Sequence, residues 1–306
     1  MTNTFANHMN GDDKITYNLT NNYMFHVILQ TNELVLRGLI SALLHLPLDE
    51  IHTIEIKNPI KLGEAIDMKE FILDVYIQLN NLTELNLEMQ VNNLHNWPDR
   101  SLSYLCRTFD GLCSGQDYRL TKPVIHIGIL DFSLFPEHPE FYASYKLLNV
   151  KNHEIFNDKF ILNVLSLKQI ELATEEDKEW QLDIWAKFFL AKTWEAINMI
   201  AKNNEILTSA TESLQRYNSD WLIRERCRAR EDYERHEFLT QQEKERQAAI
   251  IQEQNAALAD KDTIIQKQSI ELAEKDALIL EHETIIQRQD EEIAFLKAQL
   301  TQKNNQ

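Results

Sequence analysis

An Asp, a Glu and a Gln are predicted to share one face of a β-hairpin, and they are the residues here best placed to do chemistry. Residues 71–79 (FILDVYIQL) alternate strictly. Phe71, Leu73, Val75, Ile77 and Leu79 share one face, and Ile72, Asp74, Tyr76 and Gln78 the other. Asn80-Asn81 is a turn signal, and alternation then resumes. Leu85, Leu87, Met89 and Val91 are expected to face the core, with Glu84, Asn86, Glu88 and Gln90 facing away from it. A loop centred on Asn81 pairs residues whose numbers sum to 162, which sets Asp74 opposite Glu88. Cross-strand Cβ atoms lie about 4.5–5.5 Å apart, so two carboxylates there repel unless a cation sits between them. A hard divalent ion such as Mg²⁺ takes a few carboxylates and keeps its other positions for water and phosphate oxygens. Gln90 points to the same side and can orient a water, but it supplies no charge. The residues alone leave two readings open: a metal site, or a solvated sheet face with ordinary acidic groups.

The hairpin needs a scaffold, and the flanking pattern supplies one. Helical spacing runs from about Asn22 to Leu44, with a gap around Thr31–Glu33 and a stop at Pro47. A strand is expected at Ile51–Lys57. After the hairpin, Pro98 opens a helix whose predicted buried stripe is Leu102, Leu105, Phe109 and Leu112. Lys122–Phe132 (KPVIHIGILDF) reads as a buried strand. His126 within it reads as a hydrogen-bonded core residue before it reads as a ligand. The order is α-β-β-β-α-β. Further strands are expected at 141–150 and 159–167, then helices at 175–190, 192–202, 204–217 and 219–236. Trp180, Trp185 and Trp194 in these helices are read as packing residues. On the helix after the hairpin, Arg100, Tyr104 and Arg107 are spaced to share a face. They either meet phosphate, or Arg100 pairs with a hairpin carboxylate and orders the site.

From about Gln241 the character changes. Apolar residues recur every seventh position from Ile251 through Leu258, Ile265, Leu272, Ile279, Ile286 and Ile293 to Leu300, the mark of a coiled coil. The second seam (Gln254, Lys261, Gln268, Lys275, His282, Gln289 and Leu296) is poor, polar at all but its last position. A long helix is expected that self-associates weakly or pairs with something else. The domain reading is a loose start (1–16), an α/β domain (17–170), a helical extension (171–240) and a coiled-coil tail (241–306).

Bulk properties narrow the function. The formal net charge is −17, of which −8 falls after residue 230. Neither part is a basic module, which counts against strong unaided DNA binding but leaves room for a local basic strip. Cys106, Cys113 and Cys227 fit no zinc spacing and are read as reduced, buried thiols. The polar start lacks a signal-peptide pattern, and no apolar stretch reaches membrane-spanning length, so the expected compartment is the cytoplasm. Phosphate-binding glycine loops, zinc-protease and serine-hydrolase motifs are absent.

Six ordered segments carry a family resemblance: YNLTNNYMFHVIL (17–29), FILDVYIQL (71–79), LNLEMQV (85–91), WPDRSLSYLCRTFD (97–110), IGILDFSLFPEHPEFYASYKLLN (127–149) and IELATEEDKEW (170–180). Together they resemble the Rpn-type recombination-promoting nuclease and transposase family, within the PD-(D/E)XK nuclease superfamily. The resemblance implies an α/β, restriction-endonuclease-like core of order α-β-β-β-α-β, followed by a helical region and a C-terminal coiled coil. It implies that Asp74 and Glu88 hold Mg²⁺ or another divalent cation, that Gln90 stands at the third position of the E-x-K element, and that DNA is the substrate. Lys69, in the loop before the hairpin, is a candidate to supply the missing cation. The family's opening Asp-x-x-Phe-Lys pattern is changed to Asn22 and His26 at its ends. Two functions follow: a metal-dependent endonuclease acting in recombination or element mobility, or a degenerate nuclease fold that binds itself or a partner through its tail.

Overall fold

A computed structural model of the chain describes residues 14–57, 75–109 and 115–304. Two compact units divide it, Met1–Leu239 and Thr240–Gln306. The first is built on a six-stranded mixed sheet: β1 (Ile54–Ile56), β2 (Val75–Leu79), β3 (Thr83–Gln90), β4 (Val124–Leu130), β5 (Tyr142–Leu148) and β6 (Ile155–Ser166). The strands lie in the order β1-β2-β3-β4-β6-β5. The β3/β4 and β4/β6 pairs are parallel and the others antiparallel.

The hairpin forms in the expected register. Val75 pairs with Leu87, Tyr76 with Asn86 and Ile77 with Leu85. Its tight connection places Asn80 at φ 51° and Asn81 at φ 58°, a left-handed conformation that Asn tolerates better than most residues. The Asn80 side chain accepts from the His52 and Thr53 amides and donates to the Glu50 carbonyl, tying the approach to β1 onto the turn.

The segment expected as one helix over 22–44 is two: α1 (Asn22–Thr31) and α2 (Glu33–Leu44), bent by 108°. Asn32 makes the break. Its backbone leaves the helical region and its side chain caps the Val35 amide. The same side chain donates to Ser209 and Ser213, which a straight helix would forgo. Later, 175–190 is also two helices, α4 (Glu175–Glu179) and α5 (Leu182–Leu190), separated by Gln181 at φ 61°. Then come α6 (Trp194–Ala201), α7 (Glu205–Ser219) and α8 (Trp221–Asn304). Between β3 and β4 lies α3 (Trp97–Phe109).

One sheet face joins a large apolar core. Val75, Ile77, Leu85, Leu87 and Met89 pack there with Phe25, Leu36, Trp185, Phe188 and Ile197. Trp185 and Trp194 are buried, as packing residues should be. The other face is covered by α3, and Gly128 decides how closely. A Cβ on Gly128 would meet Trp97 at 2.1 Å, so glycine is what lets the indole seat against β4. The buried residues of α3 are Trp97, Ser101 and Leu105. Leu102, expected in the stripe, is exposed, because the buried stripe runs through Trp97, Ser101 and Leu105 and Leu102 lies one residue off it. Leu112 lies outside the described residues. Among the described residues no single helix is long and apolar enough to cross a membrane.

In the second unit, Ile251, Leu258, Ile265, Leu272, Ile279, Ile286, Ile293 and Leu300 are all exposed.

Candidate active site

Glu84, Asn86, Glu88 and Gln90 share the face of β3 opposite the large core, as alternation requires. That face is not open to solvent as expected. Asn86 is 5% exposed and Glu88 2%, because α3 lies over them. A buried carboxylate is costly unless paired, and Glu88 is paired twice. Arg100 Nε lies 2.9 Å from Glu88 Oε1, and His126 Nε2 lies 3.3 Å from Glu88 Oε2. The first contact is an ion pair by distance, and Nε is not aligned to Glu88 as a hydrogen-bond donor. The second is longer and not aligned as a hydrogen bond.

The elements explain the clustering. Parallel register sets Asn86 beside His126 and Glu88 beside Gly128. Trp97, seated on Gly128, fixes the start of α3, and Arg100 follows within its first turn. Asn86 Nδ2 lies 2.9 Å from His126 Nδ1. Tyr104, one turn beyond Arg100, stacks on the imidazole with 6.2 Å between centroids and an interplanar angle of 2°. The Arg100 guanidinium also lies over the Tyr104 ring, at 5.5 Å. Alongside, Tyr76 hydrogen-bonds Glu84, and burial together with that carboxylate pushes its phenol up to about 12. Lys122 pairs with Glu84 at 3.1 Å.

Of the residues singled out by sequence, Glu88, Arg100 and Tyr104 come together and Gln90 stands beside them. Arg107 is exposed. Asp74 and Lys69 lie outside the described residues. Sequence spacing puts Asn86 on the same face of β3 but assigns neither it nor His126 a place in this cluster. The available signal was the parity of KPVIHIGILDF, which sends His126, Gly128 and Leu130 to one face. His126 is buried and hydrogen-bonded, as read; its bond is to Asn86, and its other ring nitrogen lies 3.3 Å from the Glu88 carboxylate. At the start of α1, Asn22 donates to the Met89 carbonyl and anchors the helix to β3. His26 is buried with neither ring nitrogen hydrogen-bonded. Burial, with Arg230 nearby, lowers its pKa to about 3. It is therefore neutral at ordinary pH and supplies no cation. Cys106 is exposed rather than buried, because α3 buries the stripe Trp97, Ser101 and Leu105 and Cys106 lies one residue off it, on the side of the exposed Leu102. Cys227 is buried and its thiol is pushed up to about 12, chiefly by burial and then by Glu231, which makes it unreactive. Cys113 lies outside the described residues.

Among the described residues no group of three or more His, Cys, Asp or Glu is arranged to hold a metal. The donor chemistry still suits a hard divalent cation. Glu88 Oε2 and Gln90 Oε1 are buried oxygens without a hydrogen-bond partner, and such ions prefer oxygen. A carboxylate oxygen has two acceptor positions, so Arg100 and His126 leave some capacity on Glu88. A cleft of about 260 Å³ adjoins the end of β3, lined by Val91, Asn92, Thr20, Asn21, Glu231, Glu234, Arg235 and Phe238. With two carboxylates against one guanidinium, it does not favour a phosphate.

A mixed six-stranded sheet with helices packed against it, and an acidic residue of one strand buried under α3, defines an α/β domain. The chain belongs to the PD-(D/E)XK nuclease family transposase family, whose model matches residues 19–243. No curated protein and no solved structure matches it.

Proposed function

We propose that the chain is a divalent-metal-dependent DNA endonuclease of the cytoplasm, acting in recombination or the movement of genetic elements. The observation that carries this reading is Glu88, a carboxylate buried on the hairpin face, beside Gln90, in a chain of this family. Asp74 and Glu88 would hold Mg²⁺ or a similar ion, and Gln90 would position the attacking water. The cation supplies activation of water and neutralisation of charge at phosphorus. Arg100 holds the Glu88 carboxylate, which supports an ordering role for it over direct phosphate contact. Lys69 and Arg107 are left as the candidates for DNA contacts. With a net charge of −17, DNA affinity is expected to be modest and to fall steeply with salt. The test is plasmid nicking with Mg²⁺. Wild type is expected to nick, and Asp74→Ala and Glu88→Ala to lose the activity by at least about a hundredfold, the order that loss of a key electrostatic group brings. Undiminished cleavage by both variants would refute the assignment.

A second reading, a degenerate nuclease fold that assembles through its tail, is favoured by the exposed heptad stripe. An apolar stripe from Ile251 to Leu300 left in water is a marker of association. Removing residues 241–306 is expected to lower the solution mass measured by light scattering to that of a monomer. An unchanged oligomeric state would exclude a self-associating tail.

A further inference from the structure

We infer that Asn86 and His126 form a positioning pair that fixes the Glu88 carboxylate, an inference that rests on reading Glu88 as a metal ligand. The argument starts from proton placement. An amide nitrogen can only donate, so Asn86 Nδ2 at 2.9 Å requires Nδ1 of His126 to be the bare acceptor. In the neutral ring the proton then sits on Nε2, the atom 3.3 Å from Glu88 Oε2. With a proton there the contact is attractive. The other tautomer would turn a lone pair onto a carboxylate that is only 2% exposed. The ring has little freedom to leave, since Tyr104 stacks on it and Trp97 meets it at 6.1 Å with a 48° tilt.

Arg100 holds Oε1 while His126 addresses Oε2. The carboxylate is thus approached by donors at both oxygens and kept in one orientation, with its other lone pairs left for a cation. Outer groups of this kind orient metal ligands, and their loss typically costs about 10–100-fold in metal affinity. Gln90 cannot do this for Glu88, because its amide is turned to the Asn92 carbonyl. His126 therefore acts through Glu88 and touches no reacting atom.

The test uses the full chain with ¹⁵N-labelled histidine. Long-range ring spectra at neutral pH are expected to show His126 as the Nε2–H tautomer, its signals assigned by their loss in His126→Gln. Asn86→Asp replaces the donor with an acceptor, so the proton is expected to move to Nδ1 and Mn²⁺ affinity to fall about tenfold or more. His126→Gln keeps an amide donor facing Glu88 and is expected to retain most of that affinity. An Nδ1–H tautomer in the wild type overturns the proposal, and so does an Asn86→Asp variant that binds Mn²⁺ like the wild type. If the wild type takes up no Mn²⁺, the reading of Glu88 as a metal ligand fails, and the tautomer still decides whether the pair holds its carboxylate.

Discussion

Arg100→Met is expected to destabilise the protein by about 3–5 kcal/mol, the cost of stranding a buried charge when its partner is removed. The Glu88 side chain is only 3% exposed and Arg100 provides its 2.9 Å contact, so solvent cannot take over. His126, at 3.3 Å, offsets part of the loss, which favours the lower end of the range. The method is urea unfolding at neutral pH. The partner variant Glu88→Gln removes the charge that would be stranded, so combining it with Arg100→Met should cost clearly less than the two single changes added. A single-variant loss near zero, with additive effects, would place this contact among weak surface pairs.

His26→Leu is expected to stabilise. The imidazole is 1% exposed with neither nitrogen hydrogen-bonded, a condition that costs about 1–3 kcal/mol and that an apolar side chain of similar size removes. The gain should widen in acid. The unfolded chain takes up a proton on His26 below about pH 6.5, whereas the folded chain does so only near about 3. Between these values the unfolded state binds more protons, so stability falls as pH falls, by about 1.4 kcal/mol per unit from this group. Unfolding curves for both proteins between these limits should diverge as the solution is acidified. Parallel acid profiles would show that His26 is hydrated or partnered in solution.

These two expectations separate what the residues disclose from what only the fold discloses. The hairpin was legible because Val75–Leu79 and Leu85–Met89 alternate with period two and Asn80-Asn81 fits a left-handed turn. Register then followed from arithmetic, and the pairing of Val75 with Leu87 agrees with it. The break at Asn32 was visible only as a gap in apolar spacing. What makes it a corner is Asn32's bonding to Ser209 and Ser213, far away in the chain. Polarity told which side of β3 Glu88 would take. It could not tell that α3 would cover that side, since this depends on Trp97 reaching Gly128 across the sheet. For the same reason His126 reads from the sequence as a hydrogen-bonded core residue with no named partner, and its neighbours come from two other elements, β3 and α3. Leu102 shows the limit of helical spacing: Leu102 and Leu105 sit at an interval that allows a shared face, but Trp97 seats the helix so that the stripe through Ser101 and Leu105 is the buried one.

The central claim is that Glu88, together with Asp74, holds a divalent cation on the hairpin. Isothermal titration of Mn²⁺ into the wild-type chain and into Asp74→Ala tests it most directly, because it needs neither a substrate nor turnover. The account predicts saturable binding to the wild type and at least about tenfold weaker binding to Asp74→Ala, as expected when one of a few carboxylate ligands is lost. Equal binding to both proteins, or no binding to the wild type, would contradict it.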